Sequence, residues 1–442
     1  MVTTDTALDR ELLASWYARN RDRSERLFDS VHPDAYASRP IPLRNPICFY
    51  EGHMPAFSVN TLLKRGLGDA ALDSQYEILF ERGIDPEDEA GVPESRRPWP
   101  SRAEILAYAE SADRAVLDAF ARRDIADPSN PVLAGGLAAH TVLEHEPMHQ
   151  ETLRYIWHRL PYDRKTRPEG LAPARIGGEP PARSEARVPA GRATLGAGPD
   201  QPFGWDNEYP RHTVEVPPFS VDVHSVTNRD FLEFVESGAY ASDGPWDEEG
   251  GAWREENAVR HPLFWELHRG QWFWRGMWDL VPLPMDWPVY VTHAEAAAYA
   301  RWRGRRLMSE AEYHRAAYGT PGGEERRYPW GDAAPDALRG RFDFAAWDPA
   351  PVGSHPRGAS AWGVHDLVGN GWEWTSTVFA PFEGFRPMPS YPQYSADFFD
   401  GKHYVLKGAS PATAKELIRP SFRNWFRGTY PYVYAKFRTA AS

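Results

Sequence analysis

Residues 133–160 read LAGGLAAHTVLEHEPMHQETLRYIWHRL, and the reading of this stretch decides the first half of the fold. Its apolar residues recur at helical spacing, which predicts one helix over about Leu133 to Leu160. Within it, His145 and His149 stand four positions apart. On a helix that spacing differs by roughly 40° in direction, so both imidazoles point one way. Polar rings in an apolar helix need partners. The pair therefore reads either as packed core histidines or as two metal ligands presented into a helical bundle. His140 and His158 lie on the opposite side of the same helix and are expected at the surface or as caps. Glu144, Glu146 and Glu151 are expected either behind the ligands or in solvent. Pro147 interrupts the run and sets it apart from a zinc-protease helix.

Working outward, residues 7–30 read as a charged amphipathic helix and 45–68 as a second, ending at Gly66 or Gly68. Ser101 is a fair N-cap for a third, with Glu104 as its capping-box partner. Four helices in this length predict an up-down bundle over 1–165. Another histidine, His53, falls on the second of these helices, in Glu51-Gly52-His53. Three histidines would leave coordination positions open for oxygen and a substrate, the layout of a catalytic iron site.

Residues 166–186 are rich in Pro, Gly, Ala and Arg without periodicity and read as a linker. From 187 to 442 the texture changes. HTVEVPPFSVDVHSVTN, residues 212–228, alternates like a pair of strands. Thr227 and Thr292 are placed to cap two short helices. Short segments broken by Gly, Pro and Asn follow, so the second domain is expected to be α+β with few long helices. Its rings beside Gly, Pro and Asn suggest loops held by buried aromatics.

Composition narrows the function classes. The 442 residues are 42% hydrophobic and 25% charged, which is globular. A net charge of −12 argues against nucleic acid and offers no pull toward anionic lipid. Cys48 is the only cysteine, so an internal disulfide and a cysteine-based zinc site are excluded. The N-terminal residues carry Asp5, Asp9 and Glu11 and lack the apolar core of a signal peptide, and no apolar run reaches membrane-spanning length. The expected setting is cytoplasmic, with small-molecule partners and neither nucleic acid nor membrane.

The late motifs are more specific. They run Arg306-Leu-Met-Ser-Glu310, Tyr328-Pro-Trp-Gly-Asp332, Gly363-Val-His-Asp-Leu-Val-Gly-Asn-Gly-Trp-Glu-Trp-Thr375, Val405-Leu-Lys-Gly-Ala-Ser410 and Arg419-Pro-Ser-Phe-Arg-Asn-Trp425. In this order they resemble the formylglycine-generating-enzyme (sulfatase-modifying factor) module, a C-type-lectin-like fold, over roughly 190–440. Trp372, Glu373 and Trp374 read as structural. The generating enzyme's own chemistry needs cysteines in this module, and none follows Cys48. The N-terminal half resembles the DinB-like four-helix bundle, with His53, His145 and His149 at its metal-binding positions. A DinB-like bundle fused to this module is the architecture of the ergothioneine-pathway sulfoxide synthases (EgtB type), the ovothiol-pathway synthases and the selenoneine synthases (SenA type).

The resemblance implies iron(II) on His53, His145 and His149, O2 as co-substrate, and coupling of a sulfur or selenium nucleophile to the imidazole of hercynine, the trimethylated betaine of histidine. Ser390-Tyr-Pro-Gln-Tyr-Ser395 resembles the family's catalytic loop. It makes Tyr391 the proton donor and puts Tyr394 beside the betaine, with Asn424 and Trp425 at the hercynine head group. Enzymes that use γ-glutamylcysteine carry an Asp after this Asn-Trp pair and an Arg a few residues on. Here Phe426 and Tyr430 stand in those places, and Met148 stands where a glutamine is common. Loss of both clamp charges disfavours γ-glutamylcysteine and favours a neutral donor that stacks on rings, such as a selenosugar, which matches the selenoneine synthases. Free cysteine, held by Arg82 or Arg427, is the sulfur alternative. A non-catalytic lectin-like binding protein is the alternative from another class.

Overall fold

The structure is a computed structural model that describes residues 8–81, 99–171 and 176–442. Contacts divide the chain into two compact units: Met1–Leu171 with Met388–Pro392, and Ala172–Pro387 with Gln393–Ser442.

The first unit is helical. Its elements are α1 (Arg10–Asp29), α2 (Ile47–Ser58), α3 (Ser74–Leu79), α4 (Arg102–Arg122) and α5 (Leu137–Arg159). Asp9 caps α1, and the Ser101–Glu104 capping box starts α4 as the sequence predicts. Beyond Ser58, α2 widens into a π-helical stretch over Val59–Gly66. Such segments are rare and concentrate at functional sites. The core joins Leu13 and Tyr17 of α1, Phe57, Leu62 and Leu63, Val116 and Phe120 of α4, and Val142 and Leu143 of α5.

Pro147 does not break α5. A proline at this position leaves the carbonyl four residues back without its helical donor. That carbonyl, Leu143 O, accepts instead from Asn20 Nδ2 of α1 at 2.9 Å. The same face of α1 engages the next residues of α5. Glu146 accepts from Arg21 (2.8 Å) and Ser24 (2.6 Å), and Gln150 Nε2 donates to Ser24 Oγ (2.8 Å). These contacts fix the rotation of α5 about its axis.

The second unit is α+β. Its strands are β1 (Glu185–Val188), β2 (Gly191–Leu195), β3 (His212–Val216), β4 (Phe219–Asp222), β5 (Trp265–His268), β6 (Gln271–Arg275), β7 (Leu280–Pro282), β8 (Arg306–Leu307), β9 (Gly371–Val378), β10 (His403–Ala409), β11 (Asn424–Arg427), β12 (Ala435–Lys436) and β13 (Thr439–Ala441). The helices are α6 (Asn228–Glu236), α7 (Glu248–Glu256), α8 (His293–Trp302) and α9 (Glu310–Tyr318); capping boxes from Thr227, Thr292 and Ser309 start α6, α8 and α9. The sheets run β1-β4-β13-β8, β11-β10-β9-β12, β2-β3 and β5-β6-β7. The alternating stretch over 212–228 does form strands, but β3 and β4 do not pair with each other. Pro217 and Pro218 between them lack the amide hydrogens and φ freedom of a hairpin turn, so each strand joins a different sheet.

The centre of the β9 sheet is charged. Glu373 receives Lys436 Nζ at 2.5 Å and Arg438 Nε at 2.8 Å, and all three side chains are fully buried. Trp372 and Trp374 flank it, also buried.

Candidate metal centre and substrate residues

Three imidazoles from two helices converge. His53 Nε2 lies 3.2 Å from His149 Nε2, which lies 3.0 Å from His145 Nε2. His53, His145 and His149 are the one group of three such donors within 4.8 Å of each other among the described residues. His53 Nδ1–H donates to the Phe80 carbonyl at 2.7 Å, which leaves Nε2 as the lone-pair atom. Gly52 makes this contact possible, because a Cβ there would meet the Phe80 ring at 2.5 Å. Phe49 stacks on His53 (centroids 5.1 Å) and Phe57 on His145 (3.5 Å, planes within 8°).

Burial sets the protonation. It pushes His53 down to about 4 against the hydrogen bond to Phe80, which favours the charged ring. His145 and His149 are pushed well below the ordinary value, by burial first and then by the neighbouring histidines of the triad, with Arg44 adding to the effect on His149. All three rings are therefore neutral near pH 7, the form that ligates metal. Nitrogen lone pairs 3.0 Å apart repel unless a proton or cation lies between them. Metal–imidazole bonds of about 2.1 Å meeting near right angles put nitrogens about 3 Å apart, so the donor set fits a cation.

Tyr391 belongs to this unit. Its ring is 5.2 Å from Phe57 and 6.2 Å from His145, both edge-on. The preceding residue anchors it: Ser390 Oγ is 2.8 Å from Thr141 Oγ1, and the Ser390 carbonyl accepts from Arg65 at 2.7 Å. Met148 is half-buried on α5.

Of the two settings expected for each flanking residue, the exposed one is excluded: His158 is 2% exposed, and Glu144, Glu146 and Glu151 are buried. Residues 145–149 do spell His-Glu-x-x-His on an intact helix. The protease role fails for another reason: Glu146 faces α1, bonded to Arg21 and Ser24. Arg82 lies outside the described residues.

In the second unit Tyr394 stacks on Trp205 (4.0 Å) and meets Trp425 edge-on (5.1 Å); Trp425 stacks on Phe379 (4.4 Å, planes within 7°). Asn424 Oδ1 accepts from the Trp425 amide at 2.9 Å. Phe426 stacks on Tyr430 at 5.1 Å. The pleat of β11 sends Trp425 to one face and Asn424 and Phe426 to the other, since successive side chains of a strand alternate. The structure thus groups Tyr394 with Trp425, and Phe426 with Tyr430, as two aromatic sets.

Residues 175–442 match the sulfatase-modifying factor enzyme 1-like domain, and residues 17–153 match the DinB superfamily. A hercynine oxygenase of Mycolicibacterium thermoresistibile is 36% identical over 444 residues, covering 95% of this chain and 92% of that protein. The chain belongs to the hercynine oxygenase, EgtB-like family. A second family member, from Mycolicibacterium smegmatis, is 33% identical over 94% of this chain and 95% of its own length. Ergothioneine biosynthesis protein 1 of Neurospora crassa is 28% identical over 90% of this chain, which spans 54% of that protein. Both halves of the family architecture, the helical DinB-like domain and the β-rich sulfatase-modifying-factor domain, are present.

Sequence reasoning missed the ring clamps of the triad. The signal was there: Phe49 and Phe57 stand four residues before and after His53, on its face of α2. The partner of His53 at Phe80 had no local signal, because a backbone carbonyl carries no sequence mark.

Proposed function

We propose that this enzyme forms a carbon–selenium or carbon–sulfur bond on the imidazole of hercynine, with iron(II) held by His53, His145 and His149 and O2 as oxidant. The observation that carries the reading is the convergence of three neutral Nε2 atoms with the Tyr391 ring at their edge. The family relatives named for hercynine oxygenation and ergothioneine biosynthesis support the substrate. The balance is one selenol or thiol, one imidazole C–H and one O2 giving a selenoxide or sulfoxide and one water. Iron, when bound, supplies oxygen activation and brings the nucleophile next to the ring.

The protein's own groups do the rest. Burial of the triad keeps bulk water off, and Phe49 and Phe57 hold the ligand rings in orientation. Tyr391 donates a proton from its phenol. Tyr394, Trp425 and Asn424 take the betaine, whose quaternary ammonium is attracted to ring faces and donates no hydrogen bond. Phe426 and Tyr430, neutral and stacked on each other, suit an uncharged donor such as a selenosugar, and Met148 is assigned to the same donor. A sulfur donor is the second reading, favoured by the ergothioneine name of the Neurospora relative. We place the enzyme in the cytoplasm; no helix among the described residues is long and apolar enough to cross a membrane.

The test is reconstitution. The protein is loaded anaerobically with iron(II) and given hercynine, O2 and, separately, selenosugar, thiosugar, cysteine or γ-glutamylcysteine, with adducts read by mass spectrometry. A selenosugar adduct is expected. No adduct from any donor refutes the reaction, and turnover with γ-glutamylcysteine alone refutes the donor assignment.

A further inference from the structure

Arg315 of α9 has no part in the chemistry above, and its setting differs from that of the other buried arginines in the β-rich unit. It is 5% exposed. Arg254, Arg423 and Arg438 are buried to a similar degree, and each holds a carboxylate: Asp243, Glu310 and Glu373 in turn. Arg315 holds none. Among the described residues no carboxylate pairs with it, and no acceptor takes any of the N–H donors of its guanidinium; Nε is sealed from solvent without a partner. Glu325, whose backbone bridges to Gly319, is turned instead to the Thr194 amide at 2.8 Å and to His314 at 3.4 Å. A buried charge without a counter-charge is costly, and a missing ion or water is a usual reason for a buried polar atom without a partner.

The space around the guanidinium is kept open by glycine. At Gly191, the first residue of β2, a Cβ would come within 2.5 Å of Nη2 and 2.6 Å of Cζ. Gly191 has no positive φ, so its lack of a side chain answers to the guanidinium rather than to the backbone. At Gly319, the C-cap of α9, a Cβ would lie 2.7 Å from Nη1 and equally close to the Arg315 carbonyl. Trp362 covers one face: Cζ stands 5.3 Å from the ring centroid, and the indole Nε1 donates to the Arg315 carbonyl at 3.1 Å, which fixes the ring. Nη1 and Nη2, unlike Nε, are not sealed off. The ring face and the carbonyl end of α9 attract the cation. Neither supplies the two side-by-side acceptors that a guanidinium fork matches.

We propose that Arg315 anchors a binding site for a small oxyanion, a phosphate or carboxylate group gripped end-on by Nη1 and Nη2. The planar fork presents paired donors at the spacing of two oxygens on one such group. With so little of the side chain exposed, the opening suits a compact anion and not the broad acidic face of a macromolecule. The ligand supplies the counter-charge that Arg315 lacks, and it ties the start of β2, the end of α9 and the loop at Trp362 to one point. Because it binds the folded state, it stabilises the β-rich unit by mass action.

The experiment follows Tm of the full chain as inorganic phosphate, and in a second arm acetate, is added against sodium chloride at equal ionic strength. A saturable rise is expected in at least one arm, and the arm that gives it names the headgroup. General salting effects rise without saturation and are shared by every variant. Arg315→Leu should abolish the saturable rise while leaving Tm in chloride unchanged or higher, because it removes an uncompensated buried charge. An arginine that only packs would do the reverse, with a lower Tm in chloride and an undiminished response to the anion. If Arg315→Leu misfolds by far-UV circular dichroism, Arg315→Lys keeps the charge, loses the fork and should weaken anion binding by about tenfold. No saturable response in either arm of the wild type overturns the proposal, as does a response that persists undiminished in the Arg315 variants.

Discussion

The Asn20–Leu143–Pro147 contact makes a quantitative test of how the metal helix is held. Asn20 is 2% exposed and its Nδ2 is the donor to the carbonyl that Pro147 leaves unpaired. Asn20→Leu keeps the branched shape and heavy-atom count of the side chain but strands that carbonyl in a dry core. A buried polar group left unsatisfied costs about 1–3 kcal/mol. At about 2–4 °C per kcal/mol for a unit of this size, the expected loss in Tm is about 2–12 °C. Pro147→Ala restores an amide hydrogen to the helix and with it the ordinary donor to Leu143 O. Combined with Pro147→Ala, Asn20→Leu should therefore lose most of its effect. Calorimetry on the four metal-free proteins reads the cycle, and the coupling energy is the difference between the two Asn20→Leu penalties. Because α5 carries His145 and His149, Asn20→Leu alone should also weaken iron(II) binding. Equal Asn20→Leu penalties with and without Pro147→Ala would refute the assignment of Asn20 as the replacement donor.

Three further outcomes follow from the geometry. Glu373→Gln leaves Lys436 and Arg438 buried without their counter-charge and should destabilise the β-rich unit by about 3–5 kcal/mol in urea unfolding. Burial raises the Glu373 carboxyl, but Arg438 and Lys436 outweigh it and hold the pKa below the ordinary value. Its stabilisation is thus complete above about pH 4.5 and is lost as pH falls through the depressed folded value; Glu373→Gln should remove that part of the acid slope. Phe57→Ala removes the ring stacked on His145 and should weaken iron(II) binding by about 2- to 12-fold, the equivalent of about 0.5–1.5 kcal/mol, measured by anaerobic titration. Tyr391→Phe keeps the ring packing on Phe57, so iron binding should hold within about twofold while product formation falls by about 10²-fold or is diverted; unchanged product would refute its role as proton donor.

Local rules carried most of the fold. Caps at Ser101, Thr227 and Thr292 start helices where side-chain chemistry says they should, because a cap is satisfied by residues three positions away. Strand pairing was not legible. β3 and β4 are neighbours in sequence, yet β4 pairs with β1 and β13, near the opposite ends of the unit. Alternation reports that a strand has a buried face, and it carries no information on which edge it joins. Pro147 shows the same limit in a helix: its missing amide hydrogen frees a carbonyl, and a side chain 123 positions before that carbonyl takes it up.

The candidate site divides along the same line. His145 and His149 are legible because four residues bring them to one face, and Phe49 and Phe57 obey the same rule about His53. The run Asn424-Trp425-Phe426 illustrates the converse, a sequence neighbourhood that the fold separates. A strand reverses side-chain direction at each step, so adjacent letters cannot serve one patch on the same side. Trp425 joins Tyr394 and Phe379, and Phe426 joins Tyr430. If Trp425 binds the betaine and Phe426 the donor, these two rings fall on opposite faces of β11, with Asn424 of the betaine set on the Phe426 side. Trp425→Ala should then raise KM for hercynine alone, and Phe426→Asp should shift donor preference alone. A joint rise of both KM values in either variant would show that the two rings act as one surface.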